Sequence, residues 1–427
     1  MDDQSLFLSA KQKVSGFLTP GGAKNSALFL ICAALFCNEQ VVIQNIPDIS
    51  DIEVLAKLLI SMEVGCKYER KNKTILIYNQ NNIKNQIDEN LIKKMRASIF
   101  LILPLIKRFK SIHFPYPGGD SIGNRSLDEL FRVMTCMGVK CSFDKDYIHL
   151  SRENFFNPPQ LINLKCVSHS VTLALLMFLS SFSCDETIIH NIYTGPELNN
   201  MIEMLNEAGA LIRQEKNKII ITSSGNLSGV HIDVITDRVE LASYILAAIA
   251  TNGNIIVRKD DFNLLEAYVK NVIYNMVSIT EYNEDKIIIK STHNIKPFDI
   301  IADNSGAFHS DLQNLLIPIA NKAHGKSTIT DRLFNNRFRQ VEDYRSAGLE
   351  VSIENHGHTC QIIPHPLVAK DQHFIARDIR GGFSLLILAM ILPSGTRTRI
   401  SNSTVIHRGY EHIVEKFAQL GVVIDEK

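Results

Sequence analysis

Leu130–Leu150, LFRVMTCMGVKCSFDKDYIHL, reads as an amphipathic helix, a glycine, and two short strands joined by a charged turn. The same grammar returns at Leu58–Tyr78, Met201–Thr222, Tyr268–Lys290 and Val341–Ile363, with a truncated copy at Ile413–Lys427. The pivots are Glu63, Gly138, Gly209, Met276, Gly348 and Gly421, about seventy residues apart. Glycine suits a helix end that turns left-handed into a strand; Glu63 and Met276 depart from that rule.

Upstream of each copy lies a second helical stretch: Ala23–Phe36, Lys94–Ile106, Ser168–Phe178, Arg238–Ala250, Asp311–Ala320 and Arg380–Leu392. Text such as LFLICAALF and SLLILAMIL has no polar face, so these helices must be buried on every side. Short β-branched strands follow several of them, including Val41–Gln44, Thr187–His190 and Asn254–Arg258. Six βαβαββ units of this kind imply an α/β protein of two domains, three units each, with apolar helices inside a shell of sheets and outer helices. The strands Leu6–Ser9 and Val14–Leu18 precede the first full unit and are expected to complete the last one. That makes one domain discontinuous, 1–22 plus 236–427, around a second at 23–235.

Composition narrows the function. Among 427 residues, 45 Lys+Arg balance 45 Asp+Glu, which argues against a bulk electrostatic grip on nucleic acid or an anionic membrane. Any anionic ligand must then be held by a local cluster of cations. The apolar stretches fall short of the ~18 residues of a membrane span. Met1–Lys13 carries Asp2 and Asp3 and shows no secretory signal, so a cytoplasmic setting is expected. The eight cysteines contain no Cys-x-x-Cys pair and read as reduced, buried thiols. His113, His169 and His407 lack metal-ligand spacing and read as structural or solvated, so no metal site is assigned.

The mouths of the buried helices carry Lys24-Asn25, Arg96, Ser168-His169-Ser170, Arg238 with Glu240, Asp311 and Arg380. Ordinary capping accounts for Ser168 or Asp311 taken alone. It does not account for Lys24, Arg96 and Arg380, because helix N-termini repel cations. Cations set against the dipole suggest an anion shared between side chains and helix ends. Arg125, Arg337, Arg339 and Arg408 add further positive charge from non-repeating text. A cleft between the two domains, lined by such helix ends, would suit a small polyanionic substrate.

Six motifs stand in order: Gly22-Ala23-Lys24-Asn25-Ser26-Ala27, Met95-Arg96-Ala97-Ser98, Pro117-Gly118-Gly119-Asp120, Asp237-Arg238-Val239-Glu240, Asn336-Arg337-Phe338 and Arg408-Gly409-Tyr410-Glu411. In this order they resemble the UDP-N-acetylglucosamine enolpyruvyl transferase (1-carboxyvinyltransferase) family, within the EPSP synthase superfamily, nearly end to end. The sister family, EPSP synthase itself, shares the architecture but lacks the Lys-Asn pair and the Asp-Arg-Val-Glu run. The resemblance implies the two-domain inside-out α/β barrel of the enolpyruvyl transferases. It also implies transfer of the enolpyruvyl group of phosphoenolpyruvate to the sugar 3-hydroxyl, the first committed step of peptidoglycan synthesis. Addition followed by loss of phosphate needs neither metal nor redox cofactor. The partners implied are these two small molecules, with no nucleic acid or membrane.

Carried over by position, Lys24, Asn25, Arg125, Arg380 and Arg408 correspond to phosphoenolpyruvate contacts. Planar guanidiniums suit its crowded carboxylate and phosphate. Arg96, Arg125, Ser126, Leu127, Asp128, Glu129, Lys165, Ser168, Asp311 and Leu333 fall where the family holds the nucleotide sugar. Asp311 resembles the base near the 3-hydroxyl, and Lys24 and Arg408 join it in the catalytic set. Asp120 replaces the family's usual Cys in the loop Tyr116–Ser126, whose glycines suit a lid. As the acid that protonates the methylene carbon, Asp120 needs a pKa above the ordinary ~3.9. An Asp here also implies insensitivity to fosfomycin, which alkylates the thiol.

Other departures bear on the acceptor. Leu130 stands where the family usually has His, Asn335 replaces Glu, and Thr236 replaces Pro. The stretch Lys165–Ser170 carries one extra residue against the family's Lys-Val-Ser. Two other readings follow: transfer to a different uridine nucleotide, as in relatives from nucleoside-antibiotic pathways, or a non-catalytic paralogue that binds a nucleotide sugar. Retention of Lys24, Asp120, Arg125, Asp311, Arg380 and Arg408 together argues against the last.

Overall fold

The computed structural model describes residues 4–78, 80–123, 127–153, 158–292, 294–303 and 307–427. Two compact units emerge, one of residues 1–21, 120–125 and 236–427, the other of 22–119 and 126–235. Each has its own apolar core.

Among the described residues the first unit carries three four-stranded sheets, and the same pattern builds each: a parallel pair extended by two antiparallel strands. One sheet runs Asp299–Ala302, Ser327–Asp331, Thr359–Ile363, Glu350–Glu354. The β-branched strands alternate buried with more accessible positions, so one face of each sheet turns inward. The second unit repeats the scheme with two four-stranded sheets and one of three strands, Ser111–Pro115, Tyr147–Arg152 and Val139–Phe143.

The apolar helices lie inside. Every residue of Arg238–Ala250 is buried, and Lys24–Ala34 is buried except at Asn25. Two of the six expected helices differ from expectation. Residues 96–101 and 313–315 form 3₁₀ turns before short α-helices at Ile102–Arg108 and Leu316–Ala320. Pro104 and Pro318 explain this, since a proline bars the i−4 hydrogen bond and crowds that carbonyl. The Asn314 carbonyl, four residues before Pro318, instead accepts the Ser384 hydroxyl at 2.8 Å.

The pivots behave by conformation more than by residue type. Gly138, Gly209, Gly348 and Gly421 have positive φ, and Glu63 takes φ 59° without being glycine; Met276 does not. Of the N-terminal strands, Ser5–Ser9 lies between Arg397–Ser401 and Ile424–Glu426, completing the last repeat. The second strand corrects the expectation. Ser15–Phe17 leaves that sheet and pairs in parallel with Asn254–Arg258, where Gly253 lets the two backbones approach closely.

Residues 120–125, expected with the second domain, group with the first unit. Asp120 pairs with Arg408, and Asn336 bonds to the carbonyls of Ser121 and Ile122. The cysteines also differ in part: all eight are free, and Cys32, Cys37 and Cys360 are buried, but Cys136 and Cys166 are exposed. Among the described residues no helix is long and apolar enough to cross a membrane.

Candidate active site

In the first unit the helix Ile379–Ile391 begins at Asp378, whose carboxylate caps it by accepting from Gly381 N. This capping leaves Arg380, 4% exposed, to reach sideways. Its Nε donates to Asp311 Oδ2 at 3.3 Å, and its guanidinium lies 4.9 Å from the Tyr410 ring centre. Tyr410 stacks on Phe383 and shares a 2.8 Å hydrogen bond with Ser243. Arg337 forms a second ion pair to Asp311, through Oδ1. Asp311 is therefore no helix cap; it is a carboxylate gripped by two guanidiniums. Burial alone would raise its carboxyl, but Arg337 and Arg380 outweigh that and hold it well below the usual carboxylate range.

The turn after Ser327–Asp331 presents Leu333. Buried Asp331 accepts from the N–H groups of Leu333 and Phe334 and from the Ser310 hydroxyl. Beyond it, Asn314 Nδ2 donates to the Arg337 carbonyl at 2.9 Å. On the same unit Arg408 Nη1 reaches Asp120 Oδ1 at 2.5 Å, with the two side chains 19% and 12% exposed. Asp120, Asp311, Arg337, Arg380 and Arg408 thus form two carboxylate–guanidinium groups in the first unit.

In the second unit Lys24 opens its helix with no side-chain cap at Ala23, and its Nζ lies 2.6 Å from Asp51 Oδ2. Asp51, 3% exposed, sits in the first turn of Ser50–Ser61. Sequence reading missed it: nothing local links the two residues. Arg96 opens the 3₁₀ turn 96–101, and burial lowers its pKa. The backbone of Gly118 and Gly119 runs against this turn. A Cβ on Gly118 would lie 1.7 Å from the Lys93 carbonyl oxygen, and Gly119 has φ 105°.

Ser168 caps His169–Leu179, accepting from Val171 N. Asp128 and Glu129 start the helix Asp128–Cys136 after Leu127. Glu129 is already engaged: Arg132 donates to it, and so does the backbone N–H of Lys165. The bonds from Arg132, foremost, hold its carboxyl below the ordinary value. Asn25 is half-buried and Lys165 exposed. Arg125 and Ser126 lie outside the described residues. Of the departures, Leu130 is fully buried in the core, and Thr236 donates its hydroxyl to Asp261 at 2.9 Å.

The histidines are engaged as well. His113 and His149 approach within 2.6 Å, His169 packs edge-on against Phe29 and Tyr193, and His407 pairs with Glu426. Among the described residues no group of three or more His, Cys, Asp or Glu is placed to hold a metal ion.

Residues 8–417 match the model of the family EPSP synthase (3-phosphoshikimate 1-carboxyvinyltransferase). The chain belongs to this family. As a member of the EPSP synthase family it is a transferase of the enolpyruvyl, or carboxyvinyl, group. It is 32% identical over 430 residues to UDP-N-acetylglucosamine 1-carboxyvinyltransferase of Prochlorococcus marinus, covering 99% of this chain and 91% of that protein. It is 28% identical to UDP-N-acetylglucosamine 1-carboxyvinyltransferase 2 of Geobacillus kaustophilus, covering 96% and 94%. Among solved structures, the enolpyruvyl transferase NikO from Streptomyces tendae matches with TM-score 0.87 at 20% identity, covering 100% and 99%. EPSP synthase from Acinetobacter baumannii matches with TM-score 0.72 at 15% identity over the whole of both chains. The fold is that of the enolpyruvyl transferases.

Proposed function

We propose that this chain transfers the enolpyruvyl group of phosphoenolpyruvate to the 3-hydroxyl of UDP-N-acetylglucosamine, releasing inorganic phosphate. The observation that carries the reading is the pairing of two carboxylates, Asp120 and Asp311, with three arginines, Arg337, Arg380 and Arg408, in a chain of this family. Similarity to relatives named for that reaction, over nearly the whole chain, supports the acceptor.

Arg380 and Arg408, with Lys24 and Asn25, bind the donor's carboxylate and phosphate; Arg125 joins them by motif. The sugar 3-oxygen attacks the enol carbon while Asp311 takes its proton, and Asp120 protonates the methylene carbon. The methyl group then returns a proton as the C–O bond to phosphate breaks, and the double bond re-forms. Arg96, the run Arg125–Glu129, Lys165, Ser168 and Leu333 hold the nucleotide sugar, with Glu129 acting from its locked position beside Arg132. The setting is cytoplasmic peptidoglycan synthesis, with no nucleic-acid or membrane partner.

The departures at Leu130, Thr236, Asn335 and 165–170 favour a second reading, the same transfer to another uridine nucleotide. Mass analysis of the nucleotide after incubation with phosphoenolpyruvate separates the two. Addition of one enolpyruvyl group to UDP-N-acetylglucosamine supports the first reading. Addition only to a different uridine nucleotide supports the second.

A further inference from the structure

We infer that Asn336 is a positioning residue for the acid step: it seats residues 120–123 so that Asp120 stands against Arg408. The inference rests on the role proposed above for Asp120. Asn336 Nδ2 donates to the Ser121 carbonyl at 2.6 Å, and its backbone N–H donates to the Ile122 carbonyl at 3.1 Å. Ile122 is 4% exposed, so the segment is plugged as well as bonded. Gly123, at φ 132°, packs so closely that a Cβ would lie 2.9 Å from Asn335 Oδ1.

The platform beneath Asn336 is rigid for reasons independent of the loop. Asp331 holds the turn at 333–334, and Asn314 holds the Arg337 carbonyl. Arg337, the next residue, grips Asp311. One dipeptide therefore sets where both carboxylates stand: residue 336 through the loop backbone, residue 337 directly. The Asn336 side chain is exposed, so removing its amide leaves the core intact. With glycines at 119 and 123, the segment is intrinsically free, and a lost anchor shows as misplacement of Asp120.

The test compares Asn336→Ala and Asn336→Asp with wild type, following phosphate release from phosphoenolpyruvate with UDP-N-acetylglucosamine. The expected result is a kcat at least about tenfold lower in both, with KM for the nucleotide sugar within about twofold and the unfolding midpoint unchanged. A second readout does not depend on turnover. In Asp120→Cys protein, iodoacetamide labelling of residue 120 is followed against pH by peptide mass. Adding Asn336→Ala should raise the labelling midpoint by about half a pH unit or more, because the thiolate loses its guanidinium neighbour. A kcat within twofold of wild type, or an unmoved labelling midpoint, overturns the inference. If wild type releases no phosphate, the functional reading fails, and the labelling alone judges Asn336.

Discussion

Arg408 donates to Asp120 at 2.5 Å across 288 residues of chain, joining the cation proposed to receive the donor to the acid proposed to protonate it. A carboxylate paired with a guanidinium has no proton to give. The proposed acid step therefore requires the donor's anionic groups to displace Asp120 from Arg408, and Asp120 to carry a proton before the methylene carbon receives one. Titration calorimetry in buffers of different ionisation enthalpy should record uptake of about one proton when phosphoenolpyruvate binds in the presence of the nucleotide sugar. Asp120→Asn should abolish it. Equal uptake in both proteins would remove the exchange.

The carboxylate at 120 also predicts a drug response. Wild type should show no time-dependent inactivation by fosfomycin, since a carboxylate is a poor substitute for the thiolate nucleophile. Asp120→Cys should keep turnover and become sensitive. An inert but folded Cys variant would count against the assigned role.

Asp311 makes a pH-dependent contribution to stability. Its folded carboxyl lies well below the unfolded value of about 3.9, so the stabilisation is complete above that pH and lost as pH falls through the folded value. Asp311→Asn leaves Arg337 and Arg380 facing each other without their counter-ion. With the side chain 23% exposed, the cost at pH 7 should be roughly 1–3 kcal/mol after solvent screening. Urea midpoints should show the difference shrinking below about pH 4. A cost that stays constant down to pH 3 would contradict the ion-pair origin.

Lys24 depends on Asp51. The two lie 2.6 Å apart, 9% and 3% exposed, and Asp51→Asn removes the charge that fixes the ammonium. The expected loss is about tenfold or more in kcat/KM for phosphoenolpyruvate. Unchanged kinetics would show that the helix mouth positions Lys24 unaided.

Thiol chemistry reports the core. Burial pushes Cys32, Cys37 and Cys360 up to about 12, while Cys136 and Cys166 are exposed. A maleimide at pH 8 should modify Cys136 and Cys166 in the native protein and the three buried thiols only after unfolding. Native labelling of Cys360 at the rate of Cys166 would contradict the packing.

Much of the architecture was legible because the signals were local and repeated. An all-apolar helix such as SLLILAMIL must be buried, and helix–pivot–hairpin text recurs about every seventy residues. The long-range pairings were not. Ser15–Phe17 joins Asn254–Arg258 in parallel, and such register leaves no local mark. The 3₁₀ starts turned on Pro104 and Pro318, each inside a run that otherwise reads as helix. Motif order singled out Lys24, Arg380 and Arg408, but each is paired with a carboxylate that lies apart from it in sequence: Asp51, Asp311 and Asp120. Those pairings depend on tertiary approach, which no spacing encodes.

The most direct measurement is phosphate release from phosphoenolpyruvate by wild type and Asp120→Asn, with UDP-N-acetylglucosamine, with other uridine nucleotides, and with no acceptor. The account predicts release that requires UDP-N-acetylglucosamine and falls at least about a hundredfold in the Asn variant. Nucleotide-sugar binding without release from any acceptor, or full activity without the Asp120 carboxylate, would contradict it.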